Sequence, residues 1–282
     1  MKKIIAFIII AALSLGFGIS IRGSTPVTDA KLKTAISVTD GKIHSENEGK
    51  LVIVSGKLEP ELPAIDPALD ISIPYIKAYR TVKEFDHKEG TNYIYDWFEI
   101  GEDYSEENNG GVNGEYLVSG MVIAKTHIGE IEIDPQLLKG LSANTNWNDI
   151  SEDNFGEYSF NILKDKNTGE VYLSEGDRCP QYGATYKGQN YKDMVGEICY
   201  SYTVVDENAP LEYTILGIQK GNKIVEDTGI DCLPLEKGIH DTKDFRKLVV
   251  SSNTKMYVVL IAIGFLFMGL AVYSIVQLRK EE

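Results

Sequence analysis

The sequence predicts an α+β protein, mainly β, in which a multi-stranded extracytoplasmic domain lies between an N-terminal and a C-terminal transmembrane helix. An uncharged apolar segment lies near each end of the 282-residue chain. Between these segments, short β-branched and aromatic runs are separated by Gly, Pro and Asn, a pattern typical of many short strands. Nearly all of the charged residues also lie in this middle region.

The C-terminal segment, Met256–Leu278, predicts a transmembrane helix. It has 23 residues and no formal charge, and a helix of that length spans about 34 Å, more than the roughly 30 Å of a bilayer's hydrocarbon core. Tyr257 and Tyr273 lie toward its two ends, where aromatic rings favour the lipid headgroups. Residues 279–282 then form a short cytoplasmic tail.

The N-terminal segment, Ile4–Ile21, leaves two interpretations open. It follows two lysines and contains a weak small-x-small site at Gly16-Phe17-Gly18, which is compatible with a cleaved signal peptide. It is also long enough, at about 27 Å, to be a retained signal anchor over residues 1–21.

Both interpretations place residues 22–255 on the extracytoplasmic side of the cell membrane. Lys2 and Lys3 hold the N-terminus in the cytoplasm, because basic residues favour that side. Three basic residues just before the last helix oppose this orientation: Arg246, Lys247 and Lys255. We give them less weight, because long segments translocate largely regardless of charge and the first helix usually sets the orientation.

The middle region begins with a turn-rich lead, Arg22–Thr28, and then Lys31–Thr39, which favours either a short helix or a short strand. The alternation of Ile128–Ile133 indicates a strand of period two. Further strands are predicted at Lys50–Leu58, Ala78–Asp86, Asn92–Ile100, from Glu115 onward, Gly196–Val205, Leu211–Gln219 and Lys223–Glu226.

Turns and short helices connect these strands. Phe155–Tyr172 predicts a hairpin with its turn at Asn167-Thr168-Gly169. Asp134 is a good cap for a short helix through Leu141, with Pro135 in its first turn. Ile239–Val250 favours a helix that leads into the membrane. Loops are predicted at Lys88–Thr91, Asp103–Gly114 and Asn144–Asn154.

The chain carries 28 basic and 42 acidic residues, a net charge of −14. A negative field repels phosphate backbones, so we expect no nucleic acid as a partner. The lipid bilayer is expected as a partner because of the two apolar segments. The three cysteines are too few for a disulfide scaffold. One bridge, Cys179–Cys199, and three buried free thiols remain alternatives, with Cys232 as the odd residue.

We predict no catalytic, cofactor-binding or metal-binding residues and no cofactor, because the sequence lacks the common phosphate-loop, hydrolase and metalloprotease motifs. The four histidines are widely separated: His44, His87, His127 and His240. Close carboxylates occur at Glu102-Asp103, Glu106-Glu107, Asp149 with Glu152-Asp153, and Glu175 with Asp177. Such pairs arise by chance in an acidic chain. The run at Asp149 lacks the spaced ligands of a calcium loop.

The order of several motifs resembles the LUMA family, the transmembrane-protein-43 family. The matching segments cover about residues 45 to 258: Lys50–Leu58, Arg80–Glu84, Tyr95–Trp97, Val118–Leu141, Val195–Tyr202, Gln219–Gly221 and Ser252-Asn253. Cys199 stands where the family usually has Arg, and one apolar helix follows the domain where the familiar animal members have three. The single helix resembles the minimal topology of a short prokaryotic-type member.

The resemblance implies a non-enzymatic membrane protein with a retained N-terminal helix. It further implies a scaffold that organises the membrane by self-association, as a homo-oligomer, or through other membrane proteins. Two other functions remain open. One is an extracytoplasmic sensor of a ligand or of stress, and the other is a carboxylate-dependent hydrolase. The aromatic run Tyr93–Phe98 has the composition to stack a ligand but is typical of a sheet core.

Overall fold

The computed structural model describes residues 2–88, 94–101, 118–206, 208–227, 229–230 and 234–281. It has a long apolar helix at each end of the chain and strands in most of the region between them. This confirms the predicted mainly β architecture flanked by two helices. The chain forms two compact units. Unit 1 comprises Met1–Leu58, His127–Gly140 and Leu211–Glu282, and unit 2 comprises Glu59–Thr126 and Leu141–Pro210.

The elements follow one another along the chain with short connections. In order they are α1 (Lys2–Leu32), β1 (Ile36–Val38), β2 (Leu51–Lys57), β3 (Glu59–Pro60), β4 (Ala64–Asp66), β5 (Ile71–Ile73), β6 (Lys77–His87), β7 (Ile94–Glu99), β8 (Gly120–Ile123), β9 (Thr126–Ile128), β10 (Ile131–Ile133), β11 (Thr145–Asn146), β12 (Asn161–Lys164), β13 (Val171–Ser174), β14 (Tyr186–Lys187), β15 (Ile198–Val204), β16 (Glu212–Lys220), β17 (Lys223–Val225), β18 (Leu235–Lys237) and α2 (Thr242–Glu281). Short 3-10 helices lie at Ser45–Asn47, Pro135–Leu138, Glu152–Asn154 and Gln189–Met194.

Unit 1 is built on a sheet in which β16 is the central strand. β16 pairs antiparallel with β2 from Glu212↔Lys57 to Ile218↔Leu51, and it also pairs with β17 and β18. Two parallel pairs, β1 with β2 and β10 with β17, extend the sheet. Gly221 has a positive φ of 60°, a conformation that Gly adopts without strain, and this allows the tight turn between β16 and β17.

The ends of both long helices are packed into the core of unit 1. Leu32, the last residue of α1, is fully buried with Phe245 and Val249 of α2 against two strand residues, Ile53 and Leu216. Burial of each large apolar side chain contributes roughly 1.5–3 kcal/mol. The helices are therefore structural parts of unit 1.

Unit 2 is built on an antiparallel sheet in the order β12-β13-β15-β6-β7-β14, with β8 on β6 and β11 on β15. The longest pairing joins β15 to β6, from Ile198↔Glu84 to Val204↔Ala78. Val82, Leu173 and Trp147 belong to its main apolar core. Most of β15 is buried, Cys199 and Ser201 included, so neither face of this strand is a solvent face.

A buried polar network lies inside the core of unit 2. The Asp66 carboxylate is fully buried, and Arg80 Nη1 donates to both of its oxygens. The Tyr202 hydroxyl donates to the same carboxylate over 2.7 Å. Arg80 Nη2 donates to the Val118 carbonyl over 3.0 Å. The charge on Asp66 is thus compensated by a guanidinium and a phenol, as a buried carboxylate requires.

Most of the predicted elements are confirmed, with small shifts at their ends. The strands near 50–58, 78–86, 92–100, 196–205, 211–219 and 223–226 are β2, β6, β7, β15, β16 and β17. The predicted hairpin is β12 and β13, with Gly169 at a positive φ. Asp134 caps the short helix at Pro135–Leu138 by accepting from the Gln136 N–H over 2.9 Å.

Two predictions are wrong. The segment Arg22–Thr28 is part of α1 rather than a turn-rich lead. Its polar groups are satisfied within the helix, because the Ser24 and Thr25 hydroxyls donate to the Ile21 carbonyl over 3.0 and 2.7 Å. The alternation of Ile128–Ile133 is not one strand, because Gly129 at a φ of 59° reverses the chain between β9 and β10.

Some expectations become more specific and others lie outside the described residues. The ambiguous Lys31–Thr39 ends α1 and then forms β1, and the helix expected at Ile239–Val250 is the first part of α2. The predicted loop Asn144–Asn154 contains β11 and a 3-10 turn. Most of the turn at Lys88–Thr91 and all of the loop Asp103–Gly114 lie outside the described residues.

We predict that Arg80→Ala lowers the free energy of unfolding of unit 2 by about 3–5 kcal/mol, because it leaves the buried Asp66 carboxylate without its cation. Both tryptophans, Trp97 and Trp147, lie in unit 2, so tryptophan fluorescence during denaturant unfolding reports on this unit. The measurement uses the full chain in detergent.

The matched control is Lys125→Ala. Lys125 pairs with Glu61 over 3.1 Å, but both side chains are more than half exposed, and such pairs contribute about 0–1 kcal/mol. If Arg80→Ala were no more destabilising than Lys125→Ala, the buried network would not be the stabilising element that the structure indicates.

Candidate functional site

The two terminal helices pack against each other at glycine positions. A methyl group at Gly18 of α1 would lie 2.9 Å from the Ile261 side chain of α2. A methyl group at Gly264 of α2 would lie 2.5 Å from Leu15 of α1 and 3.3 Å from the Ala11 carbonyl oxygen. Small residues at such points let two apolar helices approach closely, which is how helices associate in lipid.

The contacts show that the helices run antiparallel. Gly18 faces Ile261, and near the other end of the pair Asp29 faces Arg246. By interpolation between these contacts, Arg22 lies near the level of Lys255. These residues are the first charged positions beyond the two apolar segments. The apolar parts of both helices therefore end at the same level, as expected for two segments that cross one bilayer.

Both helices are long and apolar enough to cross a membrane. Only 11% of the most apolar window of each is buried inside the protein, so these are not core helices of a soluble domain. Large apolar side chains such as Ile9, Phe17, Phe265 and Leu266 are more than half exposed. Exposed apolar surface of this extent suggests membrane anchoring, because lipid gives such side chains an apolar environment.

A polar junction lies between the apolar segments and the sheet of unit 1. Arg246 donates from Nε and Nη2 to the two carboxylate oxygens of Asp29. Lys33 also lies 3.1 Å from Asp29, and Lys31 donates to the Gly229 carbonyl over 2.7 Å. The bidentate pair fixes the two helices in register at the point where they reach the sheet.

The structure gives the histidines local partners. His44 lies 3.0 Å from Asp40, His87 lies 2.8 Å from Asp86, and His240 Nε2 lies 2.9 Å from the Lys237 carbonyl oxygen. Within the described ranges, no group of three or more His, Cys, Asp or Glu side chains has the geometry of a metal site.

The carboxylates singled out from the sequence are solvated or outside the described residues. Glu102-Asp103 and Glu106-Glu107 lie outside them, and Asp149, Glu152 and Asp153 are exposed. Glu197, which the sequence did not single out, has one carboxylate oxygen buried without a hydrogen bond to any described residue. Burial raises its pKa, and the nearby Arg178 opposes that rise.

Two of the three cysteines are free thiols in unit 2. Cys179 and Cys199 are buried in one small cluster with Tyr172, so the structure favours free thiols over the bridge that the sequence left open. Burial raises the pKa of Cys199 well above its usual range, which keeps this thiol protonated and unreactive. Cys232 lies outside the described residues.

Comparisons with protein-family models, with curated proteins and with solved structures find nothing that matches this chain.

We predict that Gly264→Leu disrupts the packing of α1 on α2, because overpacking of a tight contact costs about 1–3 kcal/mol. The measurement is oxidative cross-linking in the membrane between cysteines at two positions whose rings now lie 5.8 Å apart, Phe7→Cys and Phe267→Cys. Mass spectrometry of the linked peptides gives the yield, which we expect to fall several-fold.

Gly269→Leu is the matched control. It lies on the same helix, but a methyl group there would meet nothing within 4 Å. We expect its cross-linking yield to equal that of the parent. Equal yields from both leucine variants would show that the close contact at Gly264 does not hold the pair together.

Proposed function

We propose that this protein is a non-enzymatic scaffold of the cell membrane, which presents its β-rich units on the extracytoplasmic side and acts by self-association or through other membrane proteins. The observation that carries the proposal is the antiparallel pair of apolar helices whose ends are buried in the sheet of unit 1. A fold held to the membrane at two points cannot rotate freely. Restricted orientation and raised local concentration make weak contacts between tethered molecules effective.

The packing of the helices supports a retained N-terminal anchor. If α1 were cleaved as a signal peptide, Gly264 and its neighbours on α2 would lose the surface of Leu15 and Ala11 that they contact. The resemblance to the LUMA family is part of the proposal and points to the same retained helix.

We predict that the loops of unit 1 are accessible only from the extracytoplasmic side. A single cysteine at the exposed end of β16, Lys220→Cys, next to the turn at Gly221, is expected to react with a membrane-impermeant maleimide in intact cells. The native background is low where the structure describes it, because Cys179 and Cys199 are buried, and Cys232→Ser removes the third thiol.

The control for orientation is a cysteine at the last position of the sequence, Glu282→Cys. We expect this cysteine to react with the maleimide only after the cells are opened. Reaction of the Glu282 variant in intact cells, together with protection of the Lys220 variant, would show the opposite orientation. That result would refute the extracytoplasmic part of the proposal.

We predict that the full chain self-associates in lipid. Two differently tagged copies expressed in the same cell should co-purify in nanodiscs or mild detergent, and light scattering should give a protein mass that is a multiple of 31.3 kDa. Copies expressed separately and mixed after solubilisation serve as the control for adventitious association. A mass of one chain at every concentration, with no co-purification, would contradict self-association.

A further inference from the structure

A pocket of about 510 Å³ lies in unit 2. Its walls come from the end of β12, the loop at 177–181, β14 and the 3-10 helix Gln189–Met194. Its volume is within the roughly 300–1,000 Å³ that is usual for sites of small organic ligands. The pocket is independent of the helix pair that carries the proposed scaffold function.

The floor of the pocket is aromatic and held in place by packing. Tyr186 and Tyr191 line it, with their ring centroids 5.5 Å apart in an edge-to-face arrangement. Tyr186 in turn packs edge-to-face on the fully buried Phe85, with centroids 5.1 Å apart. Rings that are fixed in this way lose little conformational freedom when a flat apolar group binds against them.

One polar atom of this floor, the Tyr186 hydroxyl, is buried and makes no well-formed hydrogen bond to another described residue. The Gln181 backbone and the Trp97 indole lie near it, and the Trp97 N–H, which does not line the pocket, is likewise buried without a well-formed hydrogen bond. Burial raises the pKa of Tyr186, so its hydroxyl stays neutral and can donate. Buried donors without partners are costly, and a ligand acceptor or a water molecule would relieve that cost.

The rim of the pocket is basic in a chain whose net charge is −14. Lys164, Lys166 and Arg178 line it against a single lining carboxylate, Asp177. Within the part of the chain that the structure describes, the Lys164 and Lys166 ammonium groups form no ion pair. Arg178 lies 3.6 Å from both Asp177 and Glu197, which is too long for a well-formed hydrogen bond.

The other carboxylates near the rim leave its basic character intact. Asp165 is buried, and its oxygens accept the backbone N–H groups of Asn167, Thr168 and Tyr182. The Asp177 side chain is 89% exposed and is therefore largely solvated. Glu197 lies 3.6 Å from Arg178 and has a pKa that burial raises.

We propose that this pocket binds a small organic anion, in which a flat apolar body lies on the Tyr186 and Tyr191 rings and a carboxylate-type group is held by Lys164, Lys166 and Arg178. The apolar body of the ligand is buried against the rings, and the contacts of its anionic group with the basic side chains fix its orientation. The floor selects against small hydrophilic anions such as phosphate, and the rim selects against cations of the same shape.

A charge series of one shape tests this directly. The probes are 2-naphthoate, the neutral 2-naphthylmethanol and the cationic 2-naphthylmethylammonium, measured by calorimetry on the full chain in nanodiscs of zwitterionic lipid. Empty nanodiscs correct for partition into lipid. We expect 2-naphthoate to bind about 10-fold more tightly than the ammonium probe, with an affinity that falls as salt is raised.

The variant Lys164→Gln combined with Lys166→Gln should reduce the affinity for 2-naphthoate about 10-fold and leave that for 2-naphthylmethanol unchanged. Both lysines are exposed, so unfolding followed by tryptophan fluorescence should be unaffected. The matched control is Lys192→Gln, an exposed lysine on the same 3-10 helix as Asn190 that does not line the pocket.

Asn190→Trp, which places a large ring at an exposed lining position, should abolish binding of both probes.

The proposal is overturned if 2-naphthoate fails to bind, if the ammonium probe binds equally well, or if Lys192→Gln reduces binding as much as the double lysine variant does. It is also overturned if Asn190→Trp leaves binding unchanged, because the probe would then lie elsewhere. These outcomes are separate from the tests of orientation and self-association, which do not involve the pocket.

Discussion

The structure of unit 1 depends on the burial of two helix ends in its sheet. Leu32 is the last residue of α1, and Phe245 and Val249 lie in the first turns of α2. All three are buried against Ile53 of β2 and Leu216 of β16. The same two helices continue into apolar segments that are long enough to cross a membrane. The sheet and the helix pair therefore share one set of contacts. The Asp29–Arg246 pair at the junction fixes the register in which the two parts meet.

The sequence predicted those features that depend on local pattern. Lys50–Leu58 became a strand because it is β-branched and apolar on both faces, and Met256–Leu278 became a helix because its apolar surface is unbroken. Arg22–Thr28 was missed, since its Ser, Thr, Pro and Gly are typical of a turn. In the folded chain the segment is helical, because α1 pairs with α2 and its hydroxyls bond to the helix's own carbonyl at Ile21.

Long-range partners were beyond prediction from the sequence. Tyr202 reaches Asp66 across 136 positions, and no periodicity links these residues. The pocket in unit 2 is similar, because its lining comes from four short segments whose proximity depends on the pairing of β12, β13, β15, β6, β7 and β14. Trp97 and Tyr95 lie in the aromatic run that had the composition of a stacking site. They pack in the cluster around Phe85. Tyr186 and Tyr191 pack against the same cluster and line the pocket, but they carried no sequence signal of their own.

The contrast between an acidic chain and a basic pocket has a physical consequence for recognition. At physiological ionic strength the field of a surface charge decays over roughly 8 Å, so carboxylates elsewhere in the chain act weakly at the rim formed by Lys164, Lys166 and Arg178. An approaching anion is repelled by the surface as a whole, which slows association, yet once inside it meets mainly local cations. For the proposed anion, affinity therefore comes mainly from slow dissociation of a ligand that contacts both the aromatic floor and the basic rim.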